Sequence, residues 1–347
     1  MKTLEINGRK IGPEHEPYII AEISGNHNGS LDRMLKLIKL AAESGADAVK
    51  IQSYIPESLT IECDYEDFQI KDGLWRGRTL YDLYKEAHTP FDWHHTIFQF
   101  TRDNEITVLS SPFDQDAVDL LESCNCPAYK IASFEIQDLD LIKKVAQTGK
   151  PMIVSTGMAT VEDIARAVSV CEENGCGELV LLRCVSSYPA PAEDTNLAVI
   201  PNMRDVFNKI VGLSDHTLGN AVAVASVALG ASVIEKHFID DRSVGGVDSE
   251  FSMEPADLSA LKRDTSYAFK AIGKVKYGAK ESEKTNLKFR RSLYFVKDVK
   301  KGDVITEDSI RAIRPGFGAA PMDKDKFVGR IAVKNIQTGD RVNWDVV

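Results

Sequence analysis

Polar side chains recur near the ends of a series of short apolar segments in the first three quarters of the chain. Eight segments rich in Val and Ile occupy residues 18–24, 48–53, 106–111, 128–133, 151–156, 178–186, 210–215 and 232–238. The charged or polar residues late in these segments are Glu22, Lys50, Gln52, Ser111, Lys130, Ser133, Ser155, Ser214, Glu235 and Lys236. Burying a charged group among apolar residues is costly unless the group is paired. Compensating ion pairs alone would explain the pattern, but its recurrence at one end of the segments favours a functional site.

Two lysines and four serines in this set have the chemistry of an anion-binding site. A phosphate group is held by positive charge together with several hydrogen-bond donors. Lys50 and Lys130 supply the charge, and the donors are the hydroxyls of Ser111, Ser133, Ser155 and Ser214. The chain contains no P-loop and no GxGxxG string, so a nucleotide is not expected.

Two histidines follow the seventh and eighth apolar segments. A lone histidine is more often structural than a metal ligand, but His216 and His237 would lie on adjacent strands only about 5 Å apart if the segments form a closed barrel. Both rings could then bind one ion. Two nitrogen ligands among many oxygen donors favour octahedral Mn²⁺, Co²⁺ or Mg²⁺ over structural zinc.

The segments that separate these strands mostly have helical periodicity. Residues 31–43 place apolar side chains on one face, and residues 161–171 follow a Thr160 cap. Eight alternating units predict a (β/α)₈ TIM barrel, whose strands would bring their polar ends to one mouth. We expect the barrel in residues 1–278. Residues 54–107 exceed what one helix requires, which indicates an ordered aromatic insertion that shapes a substrate pocket.

The C-terminal quarter differs in character from the barrel. Residues 279–291 are polar and are predicted to be a linker. An internal repeat then relates residues 296–303 to residues 333–340, and both copies place Gly-Asp between apolar runs. Such turns predict a small β-rich domain in residues 292–347.

Composition excludes several classes of partner. The net charge of −10 argues against a nucleic acid or an anionic membrane. The longest run of small apolar residues, 221–233, is shorter than the roughly 20 residues that span a bilayer, and the N-terminus lacks a secretory pattern. The six cysteines show neither CxxC nor zinc-ligand spacing, as is typical of reduced thiols. We therefore expect a cytoplasmic protein.

Longer strings around these residues resemble the sialic acid synthase family. They include IAEISGNHNGS, ADAVKIQ, SSPFD, YKIAS, MIVSTGMAT, SSYPAP, GLSDHTLG, VIEKHF and GGVDSEFSMEP. The strings FRRSLY, GDVIT and RPGFG resemble the family's C-terminal SAF, or antifreeze-like, domain. The resemblance implies an enzyme that condenses phosphoenolpyruvate with an acetamido sugar, in a TIM barrel followed by an SAF domain.

The same resemblance implies roles for individual residues. His216 and His237 match the metal ligands, and the phosphoenolpyruvate-binding positions match Lys50, Ser111, Lys130, Ser133, Ser155 and Ser214. The sugar-holding positions match Glu22, Gln52, Tyr188 and Asp248. Ser186 stands where the family carries Asn in its Asn-x-Tyr-Pro string. Glu22 is the candidate for proton transfer, and Arg314 is placed in the active site of the neighbouring subunit of a domain-swapped homodimer.

The string GLWRGRTLYDLYKEAHTPFDW is similar to the insertion of the pseudaminic acid synthase subfamily. This implies 2,4-diacetamido-2,4,6-trideoxy-L-altropyranose as the acceptor, with legionaminic acid and N-acetylneuraminate synthases as alternatives. Two more distant alternatives are an aldolase that forms a lysine imine with pyruvate and a non-enzymatic carbohydrate- or ice-binding protein. The histidine pair speaks against the aldolase, and the charged barrel mouth is unnecessary for a binding protein.

Overall fold

The computed structural model describes residues 3–347, and the chain divides into two compact units after Gly273. The second unit runs from Lys274 to Val347. The segment predicted to be a linker, residues 279–291, lies in this second unit, where Glu281–Phe289 forms 3₁₀ turns. No helix within residues 3–347 is both long and apolar enough to cross a lipid bilayer.

The first unit contains a two-stranded hairpin and a closed parallel barrel. The hairpin pairs β1 (Leu4–Ile6) with β2 (Arg9–Ile11). The barrel strands are β3 (Tyr18–Glu22), β4 (Ala48–Ser53), β5 (Val108–Pro112), β6 (Tyr129–Ile131), β7 (Met152–Ser155), β8 (Leu179–Cys184), β9 (Ile210–Asp215) and β10 (Val233–His237). β10 pairs in parallel with both β9 and β3, which closes the barrel. This confirms the predicted (β/α)₈ fold.

Helices connect the strands and cover the outside of the barrel. They are α1 (Leu31–Glu43), α2 (Pro56–Leu59), α3 (Leu80–Ala87), α4 (His94–Asp103), α5 (Gln115–Ser123), α6 (Leu139–Ala146), α7 (Val161–Glu173), α8 (Val199–Phe207), α9 (Ala221–Ala228) and α10 (Pro255–Ile272). Short polar side chains start several of them. The Thr160 hydroxyl, for example, accepts the backbone N–H of Asp163, whose carboxylate in turn accepts the N–H of Thr160.

The barrel interior is apolar below and polar at the mouth. Its lower layers consist of Tyr18, Ile20, Ala48, Leu109, Ala128, Ile153, Val180, Leu182, Ile210 and Val233. Leu4, Ile6 and Ile11 of the hairpin pack into the same cluster and close the N-terminal end. Side chains alternate along a strand, so the residue two positions after an interior residue also faces inward. The interior positions nearest the C-terminal ends are Glu22, Lys50, Gln52, Ser111, Lys130, Ser155, Cys184, Ser214, Glu235 and His237.

The insertion between β4 and β5 is ordered and carries α2, α3 and α4. The Trp75 indole N–H donates to the Val247 carbonyl at 2.8 Å, which ties the insertion to the loop after β10. The ring of Tyr54 packs edge-on against Tyr84 of α3 and against Phe113. The insertion therefore forms one wall of the barrel mouth.

The second unit has its own apolar core around two antiparallel strands, β11 (Ser292–Phe295) and β12 (Ile310–Ile313). The two copies of the internal repeat pair with each other, because Val299 and Ile336 exchange both backbone hydrogen bonds. Gly302 and Gly339 occupy equivalent turns with φ of 94° and 97°. The repeat thus builds a small β-rich unit with approximate two-fold symmetry.

Candidate active site at the barrel mouth

A buried ionic cluster occupies the C-terminal end of the barrel interior. The Lys50 Nζ lies 2.8 Å from Glu22 Oε2 and 2.9 Å from Glu235 Oε1. The Lys130 Nζ lies 3.2 Å from the same oxygen of Glu235. All four side chains are at most 5 % exposed. Compensating ion pairs are therefore present, and they hold both lysines at the mouth, where a functional site was predicted.

Burial and neighbouring charge set the protonation of this cluster. Burial lowers the pKa of Lys50 to about 7, with Glu235 opposing the shift and Lys130 adding to it. Burial alone would raise the pKa of Glu235, but Lys130 and Lys50 outweigh it and lower that pKa. A bound dianion would favour the charged form of Lys50. The cluster is thus ready to accept negative charge.

Four serine hydroxyls lie at the same end of the barrel as the two lysines. Ser111 Oγ and Ser155 Oγ are buried and have no hydrogen-bond partner among the described residues. Ser133 Oγ accepts the Gly157 N–H at 3.0 Å, and Ser214 Oγ donates to Glu235 Oε1 at 3.4 Å. Buried hydroxyls without partners are uncommon and costly. An anion held by the lysines would satisfy them.

Glu22 contacts three neighbouring residues. Its Oε1 accepts the backbone N–H of Ser24 at 2.8 Å and the side-chain amide of Gln52 at 3.3 Å. Its Oε2 faces Lys50, as described above. Glu22 therefore links the predicted sugar-holding residue Gln52 to the lysine cluster.

The two histidines face each other across β9 and β10, with ring centroids 5.5 Å apart. His216 Nδ1 lies 2.8 Å from the Val185 carbonyl, so this nitrogen carries the proton and Nε2 remains free to bind a metal. Burial lowers the pKa of His237 well below its usual value, which keeps the ring neutral as a ligand must be. His237 Nδ1 lies 3.3 Å from Ser24 Oγ and 3.7 Å from Asp248 Oδ2.

These residues fit a divalent ion with an incomplete protein ligand set. Within residues 3–347, no group of three or more His, Cys, Asp or Glu side chains has metal-binding geometry. The histidine pair would leave most positions of an octahedral ion to oxygen atoms of water or substrate. That arrangement is suited to an ion that binds a substrate oxygen.

An aromatic wall adjoins the histidines. The Tyr188 ring lies 4.4 Å from the ring of His216, 5.5 Å from Trp75 and 5.3 Å from Phe251, measured between centroids. Asp248 is buried beside this wall and accepts the Ser24 hydroxyl, and burial raises its pKa to about 6. The insertion, the loop after β8 and the loop after β10 thus meet at one side of the mouth.

The structure brings together most of the residues predicted from sequence. Those at the mouth are Glu22, Lys50, Gln52, Ser111, Lys130, Ser133, Ser155, Ser186, Tyr188, Ser214, His216, His237 and Asp248. The hydroxyls of Ser186 and Ser133 lie close together above Gly157: a Cβ placed on Gly157 would be 2.4 Å from the first and 2.7 Å from the second. Arg314 lies in the second unit, where it is exposed.

Sequence analysis missed four residues at the mouth. Ser24 and Gly157 follow their strands by two residues, Cys184 ends β8, and Glu135 lies in the turn after β6. The period of two along β8 could have identified Cys184, whose Sγ is 3.9 Å from His216 Nδ1. The other three lie beyond the strands, where strand periodicity does not apply.

A closed parallel barrel with lysines, serines and a histidine pair at its C-terminal mouth defines an enzyme of the TIM-barrel class that binds an anionic substrate. The chain belongs to the NeuB family, whose model matches residues 37–277, and a model of the SAF domain matches residues 290–347. The resemblance to sialic acid synthases is thereby confirmed.

Individual relatives are similar over nearly the whole chain. A pseudaminic acid synthase of Campylobacter jejuni is 45% identical over 93% of this chain and 94% of its own length. A pseudaminic acid synthase of Helicobacter pylori is 40% identical over 95% of this chain and 97% of its own. The crystal structure of an N-acetylneuraminic acid synthetase from Leptospira borgpetersenii superposes with a TM-score of 0.74 at 30% identity, covering 82% of this chain and 95% of that one.

Proposed function

We propose that this enzyme condenses phosphoenolpyruvate with 2,4-diacetamido-2,4,6-trideoxy-L-altropyranose and water to give pseudaminic acid and phosphate. The observation that carries the reaction class is the presence, at one mouth, of the buried lysines Lys50 and Lys130 together with the unpartnered hydroxyls of Ser111 and Ser155. Phosphoenolpyruvate has a phosphate and a carboxylate to place among these groups. The choice of acceptor is supported by the relatives that carry the name pseudaminic acid synthase.

The residues of the mouth have distinct proposed roles. Lys50 and Lys130 offset the charge of phosphoenolpyruvate and of the departing phosphate, and the serines orient it by hydrogen bonds. His216 and His237 would hold Mn²⁺, Co²⁺ or Mg²⁺. Such an ion, when bound, polarises the aldehyde of the open-chain sugar. Glu22, Gln52, Tyr188 and Asp248 would hold the sugar, and Ser186 would contact a substrate from its position beside Ser133.

The test of the reaction is phosphate release from phosphoenolpyruvate with a panel of acetamido sugars. We expect the trideoxy altrose derivative to give the highest kcat/KM. A higher value for N-acetylmannosamine or for the legionaminic acid precursor would replace the acceptor and leave the reaction class intact. Absence of phosphate release with every sugar, or a lysine trapped by borohydride with pyruvate, would overturn the reaction class itself.

The metal is tested by binding as well as by activity. Chelation should abolish turnover, and added Mn²⁺, Co²⁺ or Mg²⁺ should restore it. His216→Ala and His237→Ala should each lower bound Mn²⁺ measured on the isolated protein, whereas His15→Ala should not, because His15 lies outside the mouth. Full turnover in metal-free buffer would contradict the assignment.

Charge supports a homodimer in which the second unit of one chain serves the barrel of another. Residues 274–347 contain 17 Lys and Arg against 10 Asp and Glu, a net charge of +7, while residues 1–273 carry −17. The six arginines of the second unit are all exposed, and none forms an ion pair with a carboxylate of the described residues. Opposite charges on the two units favour association between chains.

Subunit exchange tests the proposed role of Arg314. Arg314→Ala should abolish activity without dissociating the dimer, whereas Arg311→Ala should remain active. Mixing Arg314→Ala with a His216→Ala/His237→Ala variant should restore activity through heterodimers that hold one intact site. A monomeric, fully active protein lacking residues 285–347 would contradict the shared site.

The six free cysteines agree with our proposal that the enzyme works in the cytoplasm.

A further inference from the structure

Glu135 lies at the mouth, but its carboxyl group forms no ion pair with the lysines of the ionic cluster. It lies in the 3₁₀ turn Ser133–Glu135 that directly follows β6, so the turn carries both Glu135 and the predicted anion-binding Ser133. Glu135 Oε2 is buried and has no hydrogen-bond partner among the described residues. A buried carboxyl oxygen without a partner is costly to the fold, and such groups concentrate at functional sites.

Glu135 interacts electrostatically with the lysine cluster and with two tyrosines. Lys130 and Lys50 act on it from the barrel interior and Asp138 from the start of α6. Burial raises the pKa of the Tyr84 and Tyr188 phenols, and the charge of Glu135 adds to both shifts. Burial raises the pKa of Glu135 to about 7, with Asp138 adding to the effect and the lysines opposing it. At neutral pH the group can therefore both donate and accept a proton.

The other carboxyl groups of the mouth are less suited to proton transfer. Glu22 accepts two hydrogen bonds and faces Lys50, and Glu235 is held ionised by two lysines. Asp248 accepts the Ser24 hydroxyl beside His237, an arrangement that orients the ring. Glu22 Oε2 and Glu235 Oε2 also lack a hydrogen-bond partner among the described residues, but a lysine lies within ion-pair distance of each of those two carboxylates. Only Glu135 of these four combines a buried free oxygen with the lack of a lysine at that distance among the described residues.

We propose that Glu135 is the catalytic residue that carries a proton from water to the sugar aldehyde, an assignment that rests on the condensation proposed above. As the methylene carbon of phosphoenolpyruvate bonds to the aldehyde carbon, the Glu135 carboxylic acid protonates the aldehyde oxygen, which becomes a hydroxyl. The resulting carboxylate takes a proton from the water whose oxygen bonds to the former enol carbon. This addition gives a tetrahedral carbon that carries both a hydroxyl and the phosphate. The bond from this carbon to the phosphate oxygen then breaks, the hydroxyl oxygen becomes the ketone oxygen, and the hydroxyl proton leaves with the phosphate. Glu135 ends as the acid with which it began.

The decisive comparison is between Glu135→Gln and Glu135→Ala in the full-length enzyme. Both should remain folded and lose kcat by roughly 10²- to 10⁴-fold, the usual contribution of a general acid or base. The KM for phosphoenolpyruvate should stay within about threefold, because the lysines and serines that bind it are untouched. Formate should restore part of the kcat of Glu135→Ala, since a small acid can occupy the vacated space. It should not restore Glu135→Gln, in which the amide fills that space.

Glu193→Gln is the matched control, because Glu193 is an exposed glutamate in the loop after β8 and should leave kcat unchanged. The measurements use whichever sugar the wild-type enzyme turns over best. If the wild type turns over no sugar, the proposed condensation fails and this assignment fails with it. If the wild type is active, the assignment alone is overturned by a Glu135→Gln enzyme with kcat within threefold of wild type. It is equally overturned by a loss confined to KM, or by a Glu135→Ala enzyme that formate does not restore.

Discussion

The substitution Gly157→Ala should separate the folding of the barrel from its binding of phosphoenolpyruvate. Gly157 follows β7, and its N–H donates to Ser133 Oγ at 3.0 Å. A Cβ at this position would lie 2.4 Å from Ser186 Oγ and 2.7 Å from Ser133 Oγ. Both distances are shorter than van der Waals contact, so the two hydroxyls must move.

The substitution should reduce folding stability only slightly but should weaken the binding of phosphoenolpyruvate strongly. Each serine can move its hydroxyl by rotating about χ1, and Gly157 has no positive φ. The Ser133 Cβ, 3.0 Å from the added Cβ, does not move with χ1, so the chain there must shift by a few tenths of an ångström. The fold then loses about 1 kcal/mol from one hydrogen bond, with a small further cost for that shift. For a domain of this size that is a decrease of roughly 2–4 °C in Tm. A hydrogen bond from Ser133 to a charged phosphate is worth about 1.5–3 kcal/mol, so its loss should raise the KM for phosphoenolpyruvate roughly 10- to 150-fold.

Phosphate release at varied phosphoenolpyruvate and a thermal melt measure the two effects on the same preparation. Gly177→Ala is the matched control, because its Cβ would meet no atom within 4 Å and its backbone also lacks a positive φ. An unchanged KM in folded Gly157→Ala would refute the anion-binding role of Ser133. A decrease in Tm of more than about 10 °C would refute the claim that rotation of the serines relieves the clash.

Three other substitutions address stability and the acceptor site. His94 is buried, which lowers its pKa to about 4, so the stability it contributes is present above pH 6.5 and is lost as pH falls towards 4. The loss amounts to roughly 3 kcal/mol, and His94→Gln should flatten the dependence of urea unfolding on pH in this window. Lys236→Met leaves Asp215 unpaired in the interior and should destabilise the enzyme by about 3–5 kcal/mol, part of which a second change, Asp215→Asn, should recover in urea unfolding. Trp75→Phe removes the hydrogen bond to the Val247 carbonyl, worth about 1 kcal/mol, so steady-state kinetics should show the acceptor KM raised about fivefold and the KM for phosphoenolpyruvate unchanged.

Local sequence patterns were sufficient to predict much of the barrel. The limits of α1 and α10 follow from apolar periodicity and end signals that lie within about twenty residues. The polar mouth was predictable for the same reason, since a period of two places Lys50 above Ala48 and Glu22 above Ile20. Once eight such strands form a closed barrel, the residues near their C-terminal ends must come together at one mouth.

The pairings at the mouth were decided only by tertiary structure. The sequence showed that Glu22, Lys50 and Glu235 share the interior, but closure of the barrel gave Lys50 both carboxylates, one of them 185 residues away. The contact of Trp75 with Tyr188 and the position of Glu135 lie in loops, which have no side-chain period. Their conformations depend on packing against distant segments. The residue types available for catalysis were therefore set by the sequence, whereas the partner and protonation of each one were set by burial and by charges that only the closed barrel brings together.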